Sequence, residues 1–298
     1  MPWVIASLLS ALFLGFYDLC KKHALTGNAV FPVLFLSTVT GGGIWLLLLV
    51  QQALAPELTP AWLAVEALGW QQHLLLFLKS AIVAGAWIFS YFGEKHLPIS
   101  IASPIRATTP LWTFFGAVLV LGERPSLMEG AGIAITLVSF VGLSLAGSKE
   151  GIHFHKNPWV WRLVAGTVIG ALSGLYDKYL LGTLQLKAAT VQAWFSIYMV
   201  PVLFPFALGW KLRWWPRNDF HWRWSIPLIA IMLLVADFMY FDALRNPEAL
   251  VAIVASLRRG STLVAFAGGI LLLREHNGSG KLPAVLGILT GIVLTLLG

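Results

Sequence analysis

Apolar stretches of about twenty residues recur along the whole chain, at 3–20, 31–50, 72–92, 98–121, 126–146, 160–179, 190–209, 224–241, 248–273 and 282–298. That is the length a helix needs to cross the hydrocarbon core of a bilayer. Only a helix satisfies every backbone N–H and C=O within its own segment there, so each stretch reads as a spanning helix. Composition agrees. Apolar residues make up 58% of the chain and charged ones 11%, against about 25% charged in soluble domains. So few charges cannot cover a water-facing surface. The expected fold class is an all-α integral membrane protein with ten transmembrane helices. The two longest connections, 51–71 and 210–223, are too short to fold alone. The first stretch has no basic segment before it and no small-x-small cleavage site after it, so it is expected to stay as the first span.

Local signals divide the spans. Pro98, Pro158, Pro247 and Pro283 stand where helices should begin, a position that tolerates a missing N–H. Pro104, Pro110, Pro201 and Pro205 fall inside spans and should kink or interrupt them. Gly166, Gly170 and Gly174 recur every four residues, a smooth stripe for close helix approach, and Gly41 to Gly43, Gly287 and Gly291 suggest the same. In the 210–223 connection and at its edge, Trp210, Trp214, Trp215 and Trp222 alternate with Lys211, Arg213, Arg217 and Arg223, which suits an anchor among lipid headgroups.

The chain also repeats itself. Gly15-Phe16-Tyr17-Asp18 is matched by Gly174-Leu175-Tyr176-Asp177, and Tyr91-Phe92 before Pro98 by Tyr240-Phe241 before Pro247. Ile105-Arg106 and Leu257-Arg258 precede Gly122-Glu123 and Arg274-Glu275 by equal intervals. Matches in the same order mark an internal duplication, with halves at 1–147 and 160–298. Each half has five spans. An odd number forces the two copies into opposite orientations, the inverted-repeat plan of secondary transporters, whose solute site lies between the repeats near mid-membrane.

The ten-span plan, the Gly-x-Tyr-Asp opening with Lys22 beyond it, and the turn Leu121-Gly122-Glu123-Arg124-Pro125 resemble the drug/metabolite transporter superfamily, EamA-type branch. The second half departs from the pattern, with Leu273-Arg274-Glu275-His276 at the turn. The resemblance implies a carrier in a bacterial inner membrane moving small metabolites, commonly amino acids or related organic solutes and often outward, by alternating access.

Ionisable side chains within lipid cost about 2.5–3.5 kcal/mol each on insertion scales unless they face a wet cavity or a partner. Seven fall inside the spans: Asp18, Lys79, Arg106, Asp177, Asp237, Arg258 and Arg259. Arg106 and Arg258 occupy equivalent repeat positions and could grip a carboxylate or phosphate with forked donors. Asp18, Asp177 or Asp237 could carry a coupling proton. Alternatively, Asp18 pairs with Lys21 or Lys22 and Asp177 with Lys178 at the membrane surface. Tyr17, Trp87, Tyr91, Tyr176 and Tyr240, with Trp112, Trp194 and Tyr198, could line a cavity for organic solutes. The candidate substrate-binding set is therefore Tyr17, Asp18, Trp87, Tyr91, Arg106, Tyr176, Asp177, Asp237, Tyr240 and Arg258.

Other functions find little footing. The net charge of +7 is not gathered on a soluble module, so no nucleic-acid partner is expected. There is no phosphate-binding lysine loop and no nucleophile elbow. His153 and His155 form the one close histidine pair and lack a third zinc ligand at the usual spacing, so neither metal nor cofactor is expected. Cys20 stands alone, excluding an internal disulfide framework. The alternative is a membrane-embedded enzyme acting on a lipid-linked substrate, which would need a clustered acid, base or metal site. The expected partners are a small-molecule solute and membrane lipids, with the chain acting as monomer or homodimer. Loop charges, with Lys21, Lys22, Lys95, Lys211, Arg213 and Arg223 all on one side, place the termini outside under the positive-inside rule, whereas the resemblance implies termini inside.

Overall fold

The computed structural model describes residues 2–96, 105–106, 108–116, 119, 122, 124–145, 157–214, 218–261, 263–264, 267–268 and 278–297. The described residues are helical, without a strand: α1 Pro2–Leu25, α2 Val30–Leu54, α3 Trp70–His96, α4 Thr109–Gly116, α5 Leu127–Leu145, α6 Pro158–Lys178, α7 Ala188–Lys211, α8 Ser225–Arg245, α9 Val251–Arg258 and α10 Gly278–Leu297. Six of them (α1, α2, α3, α6 with the turn that follows it, α7 and α8) are long and apolar enough to cross a membrane. Pro98, Pro104 and the 273–276 turn lie outside the described residues, as do His153 and His155.

The helix starts follow their local chemistry. The Asn157 side chain accepts the Trp159 N–H at 2.9 Å and Pro158 takes the first helical position. At α5, the Ser126 hydroxyl accepts the Glu129 N–H at 3.1 Å while the Glu129 carboxylate accepts the Ser126 N–H, a reciprocal cap. Pro283 departs from expectation. It lies inside α10, which begins at Gly278. Pro201 and Pro205 do not interrupt α7; both are exposed on its outer side. A π-helical turn, Tyr179–Thr183, extends α6.

In the packing, α1 lies against α8 and α3 against α6, while α2 pairs with α7, α4 with α9 and α5 with α10. Secondary contacts join α1 to α9, α4 to α6, α3 to α7 and α2 to α8. Leu47, Leu74, Val138 and Leu172 point outward and exposed. Lipid tails solvate such a surface as well as a protein core does, so helix association rests on close packing and interhelical hydrogen bonds. Ser10 donates to Ala236 O at 2.7 Å across α1 and α8, and Ser80 to Phe195 O at 3.2 Å across α3 and α7.

Glycines set the closest approaches. A Cβ on Gly166 would stand 2.9 Å from both Ala86 O and Ser90 N of α3, and one on Gly291 would stand 2.7 Å from Gly132 O of α5. Backbone atoms cannot yield there. Gly166→Leu is expected to prevent stable folding, seen as loss of the monodisperse peak in detergent gel filtration. The predicted stripe is not uniform, however. One turn on, a Cβ at Gly170 would meet nothing within 4 Å, because that position faces open space.

The connections gather at two ends. At one, His23 Nδ1 and Ser225 Oγ lie 2.9 Å apart, His221 N donates to Asn28 Oδ1 at 2.9 Å, and His96 stacks on Trp159 at 3.7 Å. At the other, Lys187 pairs with Glu66 at 3.0 Å, and Lys178 donates to Asn246 O at 3.3 Å.

Candidate functional site

The interior charges meet in one place. A cavity of about 260 Å3 lies between α1, α3, α4, α6, α7, α8 and α9. Helices from both halves of the chain therefore form its wall. Of the ten candidate residues, Tyr17, Trp87, Tyr91, Arg106, Asp177, Asp237, Tyr240 and Arg258 line it.

Ion pairs organise the wall. Lys79 of α3 pairs with Asp177 of α6, their side chains 2% and 6% exposed, so both charges are almost wholly withdrawn from solvent. The Lys79 ammonium lies 4.6 Å from the Phe195 ring centroid and 4.9 Å from that of Phe241. Aromatic faces thus supply electron density where water cannot. Arg258 donates to Asp237 at 2.8 Å and stacks over the Tyr240 ring at 4.2 Å. Asp18 stands 3.2 Å from Lys21 and 3.6 Å from Arg106. Tyr17 and Tyr91 share a hydrogen bond of 2.9 Å between their hydroxyls, and the Lys21 ammonium lies 4.9 and 5.2 Å from their rings.

Arg259 completes the set. It has no carboxylate at ion-pair distance among the described residues, and its Nε is buried without an acceptor. Among the described residues, Lys21, Lys79, Arg106, Arg258 and Arg259 line the cavity, against two lining carboxylates, Asp177 and Asp237. Cations outnumber anions on the wall. Such a chamber favours a solute that brings negative charge.

Several expectations need correction. Tyr176 does not line the cavity; its hydroxyl donates to Leu75 O at 3.2 Å and its ring stacks with Tyr179. Asp18 also stands off the wall, paired with the cavity-lining Lys21 and Arg106. Asp177 pairs with Lys79 rather than Lys178, whose ammonium bonds carbonyls at Asn246 and Ala249. Lys21, counted as a loop charge, belongs to α1 and lines the cavity. Trp194 and Tyr198 surround His73 instead, with the Tyr198 hydroxyl 2.9 Å from its Nδ1. Trp112 is 40% exposed.

The two Gly-x-Tyr-Asp copies differ by a rotation. In α1 the tyrosine, Tyr17, faces the cavity and Asp18 does not; in α6 the aspartate, Asp177, faces it and Tyr176 does not. Neighbouring residues on a helix point about 100° apart, so a turn of one residue separates the copies. The sequence match alone does not carry that information. Lys79 was visible as an intramembrane charge but stood outside the candidate set.

Fold and cavity define a multi-pass helical membrane protein with a charged chamber inside the bundle. Residues 1–145 match the EamA-like transporter family. A probable terminal-alkyne amino-acid exporter of Streptantibioticus cattleyicolor is 26% identical over 114 residues, 38% of this chain and 37% of the exporter. The chain thus aligns with little more than a third of that relative's length. A solved crystal structure, 14% identical in sequence, superposes with a TM-score of 0.76 over 99% of this chain and 96% of its own; at that identity it speaks for the fold alone.

Proposed function

We propose that the protein is a secondary carrier that exports small anionic or zwitterionic metabolites, amino acids or close relatives of them, through the charged cavity. The carrying observation is the cavity itself. It collects six of the seven intramembrane charges, lies between helices of both halves, and is richer in cations than in carboxylates. The amino-acid exporter among the relatives supports the solute class.

Ten spans in two inverted five-helix repeats, 1–147 and 160–298, make up the proposed architecture. Its support lies in the packing. Exchange α1 with α6, α2 with α7, α3 with α8, α4 with α9 and α5 with α10, and the principal contacts are preserved, although the α7–α8 contact has no comparable counterpart between α2 and α3. The α1–α8 contact becomes α6–α3, α1–α9 becomes α6–α4, α3–α7 becomes α8–α2, and α2–α7, α4–α9 and α5–α10 map onto themselves. Pseudo-twofold symmetry of this kind lets one half rock against the other around a fixed site. The proposed setting is the cell (inner) membrane, with the chain working as monomer or homodimer.

Proteoliposomes loaded with a mixture of L-amino acids and short carboxylates test this reading. A selective subset should leave in the presence of the protein. Arg106→Gln and Arg258→Gln should each weaken binding of that subset about 10- to 100-fold, the span of one charge-assisted hydrogen bond, with an unaltered gel-filtration profile. Unchanged binding in both variants would reject the cavity as the solute site.

A further inference from the structure

Beside the main cavity lies a smaller chamber of about 30 Å3, close to the volume one water molecule occupies. Tyr17, Trp87, Tyr91, Phe195, Leu233 and Asp237 line both spaces. On the far side stands Gln192 of α7, 1% exposed. Its Nε2 donates to Leu234 O of α8, which fixes the amide so that Oε1 is the remaining group. That Oε1 is buried with no donor. A buried acceptor left unsatisfied is costly, and so it marks a place where a donor fits.

Two hydroxyls of α2 that line the chamber have the same character. The Ser37 hydroxyl donates to Leu34 O at 2.8 Å, and that of Thr38 to Phe35 O at 2.7 Å. Their protons are used within α2, so what they offer the chamber is lone pairs. Asp237 adds a carboxylate, of which Oδ1 accepts from Arg258. The Gln192 amide and the Asp237 carboxylate thus bring acceptors to an otherwise mostly apolar small chamber, which no cation lines among the described residues, while Arg106, Arg258 and Arg259 line the large one.

We propose that Gln192 and Asp237 form an ammonium subsite, which holds the amino group of a zwitterionic solute while its carboxylate turns to the arginines. The inference deepens the carrier reading and rests on it for the identity of the solute. Gln192 thereby becomes the residue that separates free amines from N-acylated analogues, whose amide carries no charge and too much bulk for the chamber.

Thermal stabilisation of the full chain in detergent provides the test, using the L-amino acids, their N-acetyl derivatives, methylammonium chloride and sodium chloride as probes. The wild type should be stabilised by methylammonium and by free amino acids more than by the N-acetyl forms. Gln192→Met, similar in shape but without the acceptor, should weaken both amine probes about tenfold and leave the N-acetyl forms unchanged. Gln192→Glu should keep the preference for amines. Equal weakening of amine and N-acetyl probes, no effect of Gln192→Met, or absence of stabilisation by methylammonium would overturn the subsite. So would stabilisation by sodium that disappears in Gln192→Met, which would assign the chamber to a metal cation. Proteoliposome flux separates the two failures. Methylammonium binding without solute flux would sink the carrier reading alone, and flux without amine discrimination would sink the subsite alone.

Discussion

Replacing Lys79 by methionine is expected to lower the melting temperature in detergent by on the order of 10 °C. The ammonium and the Asp177 carboxylate are both almost wholly withdrawn from solvent. Removing one leaves the other buried without its counter-charge, which costs about 3–5 kcal/mol. The aromatic neighbours do not soften that cost, because the faces of Phe195 and Phe241 complement a cation and not a carboxylate. The double variant Lys79→Met with Asp177→Leu removes both charges and should recover most of the lost stability, since an apolar pair can replace a buried ion pair at little cost. A single variant as stable as the wild type would show that the pair does not hold α3 to α6. Recovery in the double variant without recovery of transport would give the pair a part in the transport cycle as well as in the fold.

The contrast between what sequence disclosed and what it left out follows from the physics of the bilayer. Six of the spans were legible because hydrocarbon demands long apolar runs and a helical backbone, and the charges inside the apolar runs stood out because they are costly there. Six of the seven intramembrane charges do line one cavity. Partner choice was not legible. Lys178 is the sequence neighbour of Asp177, yet the carboxylate reaches across to α3, because adjacent residues on a helix diverge while facing helices bring distant ones together. Nor could the repeat reveal the rotation that swaps Tyr17 and Asp177 as cavity residues. Gln192 gave no signal at all. A lone glutamine in a span is ordinary, and its meaning depends on Leu234 O occupying its amide nitrogen. Gly170 and Gly166 looked alike in the sequence, and only the packing separates them.

That last difference yields the sharpest test of the transport route. Gly170→Trp should reduce flux at least about 100-fold, a change of nearly 3 kcal/mol in the effective barrier, while the melting temperature stays within a few degrees of the wild type. The reasoning is steric. A Cβ at Gly170 meets no atom within 4 Å, and the residue lines the cavity, so an indole placed there occupies space the solute needs and displaces no backbone. The same substitution one turn earlier behaves in the opposite way. At Gly166 the α3 backbone is already at contact distance, and the indole would force the two halves apart. Comparing the two variants separates blockage from misfolding, which a single inactive variant cannot do. Flux without a stable fold is excluded, so the informative outcome is the Gly170 protein that folds. If it still moves solute at the wild-type rate, the chamber between the halves is not the path, and the solute crosses elsewhere. If it binds no solute yet keeps its melting temperature, the 260 Å3 cavity is the site, and the charges on its wall are what the solute meets there.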